Sequence, residues 1–207
     1  LAVGFFKPHT PFVAPKSFFD LYDPDDIVVP TVPANYFSTL PAAAVATLRE
    51  RSYENGLDVT LARQTIHAYY ATISFMDAQV GRVLAALDDP NGDGDSSDSI
   101  RDNTIIVFAS DHGEMLGDRN LWKKQVPFEP SLNVPLVWNG PDIAARGIED
   151  APASLIDIPV TLLSLAGAAP LTDADGMDLS GYLKGREAYP RLFTHAGLGA
   201  WRAVTDG

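Results

Sequence analysis

The tetrapeptide Ser110-Asp111-His112-Gly113 sets a carboxylate beside an imidazole directly after a short apolar, β-rich run, Asn103 to Ala109. Open α/β sheets place their ligands at the carboxyl ends of strands, so this pair is the first candidate for chemistry. The carboxylate is a hard oxygen ligand suited to calcium or magnesium, and the imidazole either completes such a site or suits zinc. A structural alternative stands beside it, in which Asp111 caps a following helix and His112 satisfies a loop carbonyl. A second acidic stretch, Asp89 to Asp95, begins like a calcium-binding loop, with oxygen side chains at alternate positions and a glycine at the turn. Its closing position falls on Ile100 instead of a glutamate, so a solvated acidic turn is the simpler reading.

The elements that must position these residues follow from periodicity. Leu61 to Leu87 reads as a helix, because Ile66, Tyr69, Tyr70, Ile73, Met76, Val80, Val83, Leu84 and Leu87 recur at three- and four-residue steps. Tyr69 and Tyr70 are read as core, and His67 and His195 as structural or surface residues. Leu1 to Phe6 is expected to be a buried strand, followed by a loop at Lys7 to Phe12, where Pro8 and Pro11 remove backbone donors. From Ala14 to Pro41 five further prolines predict an irregular excursion with a short helix near Lys16 to Leu21. The run ending at Ala109 is expected in the middle of a parallel sheet, and Val134 to Trp138 is a second buried strand. Leu155 to Ala166 reads as a helix stopped by Gly167. Arg191 to His195 and Trp201 to Val204 are expected as two strands of a small terminal sheet.

Strand, helix and strand in succession signify an α/β layer fold. With 207 residues, 46% hydrophobic and 20% charged, the chain has the length of one domain, at most two, and composition enough for a core. The net charge of -12 opposes encounter with a nucleic-acid backbone or an anionic membrane. Any sulfate or phosphate ligand must therefore be held by local positive charge. No apolar run approaches the roughly 20 residues that span a bilayer. There are no cysteines, so composition is silent on redox compartment. Leu1 opens directly in an apolar segment, which reads as the start of a fragment.

The stretch ASDHGEMLGDRNLWKKQVPFEPSLNVPL, residues 109–136, resembles the sulfatase family of the alkaline phosphatase superfamily, closest to its iduronate-2-sulfatase and choline-sulfatase branch. Three further segments agree in order: GFFKPHTPF at 4–12, YYATISFMDAQVGR at 69–82 and SLIDIPVTLL at 154–163. The resemblance implies an α/β/α sandwich around a mixed, mostly parallel sheet, incomplete at its amino-terminal side, with residues 1–188 as a partial catalytic domain and 189–207 as the start of a terminal subdomain. It implies that Asp111 and His112 ligate calcium (Ca2+) together with carboxylates from an upstream Asp pair. Lys124, five residues before Glu129, would sit on the sulfate oxygens; Lys123 beside it reads as a solvated lysine. His9 would contact the sulfate or the departing ester oxygen, with Lys7 nearby, so that His9 and Lys124 are the catalytic pair and Lys7, His9 and Lys124 bind substrate. These types suit the reaction: cations compensate charge on the nonbridging oxygens, and an imidazole can protonate the leaving oxygen.

One departure from the family's pattern bears on activity. The family's nucleophile is a formylglycine made from Cys or Ser in a Cys/Ser-x-Pro-x-Arg motif, and no such motif occurs in this chain. The polypeptide alone is therefore expected to be inactive, with the formylglycine expected upstream. The implied substrate is a small-molecule or glycan sulfate ester, and the stretch from Val28 to Glu54 is expected to hold specificity loops. The resemblance favours a periplasmic or extracellular location. Two other readings stay open: a zinc-dependent phosphodiesterase or phosphomutase of the same superfamily, and a noncatalytic binding module.

Overall fold

The computed structural model describes residues 1–48 and 56–206. The end of the expected specificity stretch, 49–54, lies outside the described residues. Two compact units are present, one made of Leu1–Arg101 with Glu114–Lys124, the other of Asp102–Gly113 with the chain from Gln125 onward.

The first unit is organised by a long helix. Two single-turn helices, α1 (Lys16–Phe19) and α2 (Ala42–Val45), precede α3 (Val59–Asp88). Asp58 starts α3 by accepting the N–H groups of Thr60 and Leu61 at 2.9 and 3.0 Å, a cap of about 1 kcal/mol. At the other end Arg101 donates to the Leu84 carbonyl at 3.0 Å and pairs with Asp88. A cation placed there satisfies terminal carbonyls and opposes the helix dipole. The segment before α3 lies along it through ring contacts, Phe18 on Phe75 and Phe19 on His67, and through a hydrogen bond from His67 Nε2 to the Phe19 carbonyl at 3.0 Å. Ile27, Ala62, Ile66 and Trp122 form the buried cluster.

The stripe foreseen on α3 is less deeply buried than its periodicity suggests. The buried positions are Ala62, Ile66, Ala71 and Thr72, and Tyr70 is exposed rather than core. Small residues let neighbouring segments approach the helix there, which leaves the larger side chains at the margin. Tyr69 does pack, edge-on to Phe12 with ring centroids 5.3 Å apart.

The opening run is also corrected. Leu1 to Phe6 forms no strand, and Leu1, Val3, Phe5 and Phe6 are exposed. An apolar run becomes a strand only where a neighbour completes its ladder hydrogen bonds, and no described residue pairs with this one.

In the second unit β1 (Ile106–Ala109), α4 (Glu129–Leu132) and β2 (Leu136–Asn139) are followed by α5 (Asp157–Leu165), α6 (Ser180–Leu183), β3 (Thr194–Leu198) and β4 (Trp201–Thr205). β1 pairs antiparallel with β2, Ile106 opposite Asn139 and Ala109 opposite Leu136. The parallel pairing expected for β1 is not found among the described residues, because an apolar run reports burial and not the direction of its neighbour. α5 ends at Gly167, as expected, whose φ of +65° is open to glycine at little cost. The terminal hairpin exists, but its first strand starts at Thr194 and not at Arg191. Arg191 is used instead in a buried ion pair, its Nη2 donating to Asp157 Oδ1 at 2.5 Å.

Candidate functional site

β1 delivers Ser110, Asp111 and His112 at its carboxyl end, and no helix follows, so Asp111 is not a helix cap. The Ser110 hydroxyl donates to the His112 carbonyl at 2.8 Å, which folds the chain tightly at this point. His112 Nδ1 lies 2.8 Å from the Gly113 carbonyl. A carbonyl only accepts, so Nδ1 carries a proton, and in the neutral form of the ring the lone pair lies at Nε2. Fixing the tautomer by a backbone carbonyl is how metal-ligating imidazoles are held. Nε2 lies 3.6 Å from Asp111 Oδ2, and the Asp111 side chain is 86% exposed. A hard oxygen and an imidazole lone pair thus point to neighbouring space.

Gly113 makes this turn possible. A Cβ there would lie 2.0 Å from the Pro130 carbonyl oxygen in α4, and the Gly113 N–H donates to the Ser131 carbonyl at 2.9 Å. Only the absence of a side chain lets the two backbones meet.

In the first unit, Glu114 to Lys124 forms a strained loop. Leu116, Arg119, Asn120 and Lys123 all have positive φ, each conformation costing roughly 1–2 kcal/mol in a residue with a side chain. Such strain persists only where the surroundings over-determine it, and it clusters at functional sites. Here the fixing contacts are backbone bonds, from Met115 N to Lys123 O at 2.7 Å and from Gly117 N to Leu121 O at 2.9 Å, with Met115, Leu121 and Trp122 buried. Arg119 Nε adds a bond to the Tyr36 hydroxyl at 2.6 Å. Glu114 accepts the N–H of Lys123, and of Leu116 at 3.4 Å, through one carboxylate oxygen. Lys124 follows at once, half-buried.

Lys7 and His9 sit in the turn before Phe12. The Lys7 ammonium donates to the Pro11 carbonyl, and His9 Nδ1 lies 2.7 Å from the Thr10 carbonyl. As at His112, the Nδ1–H donates to a backbone carbonyl, and Nε2 of an exposed ring is left for other partners. Burial raises the pKa of the Tyr69 hydroxyl, and the nearby Glu114 carboxylate raises it further.

Lys7, His9 and Lys124 therefore belong to the first unit, Asp111 and His112 to the second. Among the described residues no group of three or more His, Cys, Asp or Glu side chains could hold a metal by itself. The donors at Asp111 and His112 fit a divalent cation as part of a larger ligand set. In the acidic turn, Asp89 Oδ1 accepts the N–H groups of Gly92 and Asp93, and Oδ2 that of Gly94, so these oxygens already serve the loop itself. Sequence reasoning missed Glu114 and Gly113 as individual contributors. Each lies inside the motif at 109–136, but what each does depends on a neighbour that only the fold supplies.

The family model for sulfatases matches residues 1–168. Choline-sulfatase of Rhizobium meliloti (strain 1021) is 38% identical over 169 residues, covering 81% of this chain and 31% of that protein. Iduronate 2-sulfatase of Mus musculus is 37% identical over 152 residues, covering 66% of this chain and 25% of that protein. Among solved structures, phosphonate monoester hydrolase from Silicibacter pomeroyi superposes with a TM-score of 0.71 at 26% identity, covering 91% of this chain and 38% of that one, in keeping with the α/β fold class. The chain spans about a third or less of the length of these curated relatives, and about a third of others like them. With the family pattern running through both the Asp-His turn and the lysine loop, this chain belongs to the sulfatase family of the alkaline phosphatase superfamily.

Proposed function

We propose that this chain supplies part of the metal and sulfate site of a sulfatase that hydrolyses sulfate monoesters, in keeping with its family, and that a sugar sulfate is the substrate class. The observation that carries the reading is the Asp111–His112 turn, where the backbone fixes His112 so that Nε2 faces the same space as the Asp111 carboxylate. In this reading Asp111 and His112 hold calcium together with carboxylates that this chain does not contain. The cation, when bound, neutralises charge on the nonbridging oxygens. Lys124 supports the same oxygens with a compact, three-donor ammonium. His9, with its Nδ1–H held by the Thr10 carbonyl, would give a proton from Nε2 to the leaving oxygen when both ring nitrogens carry protons, and would be left as the neutral Nδ1–H ring. Lys7 keeps the field near that oxygen positive. The reading requires Lys7, His9 and Lys124 to converge with Asp111 and His112, in a larger α/β/α sandwich with residues 1–188 in the catalytic domain and the terminal hairpin beginning another. A periplasmic or extracellular site of action goes with it.

The attacking group is a formylglycine supplied from outside these 207 residues, since the sequence holds no cysteine and no Ser-x-Pro-x-Arg. The purified chain is therefore expected to leave 4-nitrophenyl sulfate intact and, with only Asp111 and His112 of the ligand set, to bind calcium weakly. Turnover by the chain alone would refute this, and calcium binding unchanged in Asp111→Ala and His112→Ala would remove the metal assignment. The likeness to a phosphonate monoester hydrolase favours a second reading, a phosphoester or phosphonate hydrolase using zinc or manganese. Elemental analysis of a full-length parent carrying the remaining ligands separates the two, calcium for the first and zinc for the second.

A further inference from the structure

Lys124 stands in a loop whose backbone would not adopt its shape unaided. Lys123, immediately before it, has φ of +68° and Gln125, immediately after it, φ of +80°. Left-handed backbone at two residues with side chains is rare and costs conformational energy on each side of the lysine. A chain free to relax would return Lys123 to negative φ and swing Lys124 away from its present direction.

The group that opposes this relaxation is a carboxylate from nine positions earlier. Glu114 Oε1 accepts the Lys123 N–H and lies 3.4 Å from the Leu116 N–H, and so ties both arms of the loop to one oxygen. A backbone bond from Met115 N to Lys123 O closes the same ring at 2.7 Å. The Glu114 charge also adds to burial in raising the pKa of the Tyr69 hydroxyl on α3, and Tyr69 packs edge-on against Phe12 in the turn that carries Lys7 and His9. Glu114 Oε1 accepts backbone N–H groups, and a charged acceptor makes the stronger bond.

We propose that Glu114 is a positioning residue for sulfate binding: by accepting the Lys123 N–H it holds the left-handed turn that aims the Lys124 ammonium. The inference rests on the reading of Lys124 as a sulfate contact, and the test separates the two.

The test uses the whole chain, selectively labelled with 15N at lysine, and inorganic sulfate as probe in the presence of calcium chloride. Sulfate is expected to shift the Lys124 resonances saturably, and Lys124→Ala is expected to abolish binding. Glu114→Ala is expected to weaken sulfate about tenfold and to speed exchange of the Lys123 amide by a similar factor, the scale of one lost bond to a charged acceptor. Glu114→Gln, whose amide oxygen accepts the same N–H, is expected to restore most of both. Lys123→Gly, which removes the penalty at positive φ, is expected to rescue binding in the Glu114→Ala background. Sulfate binding absent from the native chain, or unchanged in Lys124→Ala, overturns the sulfate reading itself. Sensitivity to Lys124→Ala without sensitivity to Glu114→Ala overturns only the positioning role. Tighter binding in Glu114→Gln would also overturn it, because the carboxylate would then be acting on the anion by repulsion.

Discussion

Removing the Asp157 carboxylate tests how the second unit is held together. Asp157 is fully buried at the start of α5, and its oxygens are completely engaged. Oδ1 accepts from Arg191 Nη2 at 2.5 Å and from Met177 N at 2.8 Å, while Oδ2 accepts from Ser154 N at 2.9 Å. Arg191 is itself 9% exposed, and it donates to Thr194 Oγ1 at 3.2 Å where β3 begins. Asp157→Ala would leave a buried guanidinium and two backbone donors without their acceptor. Breaking one side of a buried ion pair costs about 3–5 kcal/mol, and the unsatisfied N–H groups fall within that figure because the losses share one site. Against a total stability of roughly 5–15 kcal/mol this is a large fraction. Urea unfolding followed by circular dichroism should show the midpoint falling at nearly constant slope. Asp157→Asn, which keeps volume and one acceptor, should fall between. The double variant Asp157→Ala, Arg191→Met should cost less than the sum of the single changes, since it removes the stranded charge. A loss below about 1 kcal/mol in Asp157→Ala, or strict additivity in the double variant, would refute the claim that charge pairing in a dry interior holds this joint.

Two further outcomes follow from the same structure. Gly113→Ala should destabilise by about 1–3 kcal/mol and weaken calcium binding, because its Cβ would meet the Pro130 carbonyl oxygen at 2.0 Å and a backbone atom cannot rotate aside. Calorimetric titration with calcium checks this, and an affinity equal to the native chain's would show that the turn relaxes freely. Tyr189 should titrate at about 12, raised first by burial and then by the Asp157 carboxylate, with Arg191 opposing. A hydroxyl whose folded pKa lies above its unfolded value of about 10 stabilises the fold fully below pH 10 and loses that contribution as pH rises to about 12. Phenolate absorbance across that range measures it, and a folded-state titration of Tyr189 at its unfolded value would contradict the burial argument.

The sequence made some of this legible because the relevant physics is local. α3 announces itself by apolar spacing over many turns, and its ends come within two residues of the reading, with Asp58 as cap and Asp88 as last residue. α5 is equally local, closed by Gly167. Asp111 and His112 are adjacent in the chain, so any strand that delivers one delivers the other. What failed was non-local. The apolar run at Leu1 to Phe6 carries a strand's composition without a described partner, and composition cannot report a missing neighbour. Arg191 reads as strand in the sequence because its pairing with Asp157 spans 34 positions, beyond the reach of any periodicity.

Lys124 shows how a family likeness points to a residue on which local residue types are mute. Nothing in the sequence around it favours positive φ at Lys123, which is neither glycine nor asparagine. The turn exists because Glu114, Met115 and Trp122 overrule local preference through a carboxylate, a backbone bond and a buried ring. In a chain of net charge -12 the bulk field repels a sulfate, so binding must depend on a few cations held at fixed places. Fixing an ammonium on a flexible stem costs side-chain entropy, and a rigid backbone beneath it lowers the number of ways it can point away. If Lys124 is the sulfate contact proposed above, the strain stored in the 114–124 loop keeps one lysine aimed at an anion that the rest of an acidic surface would turn away.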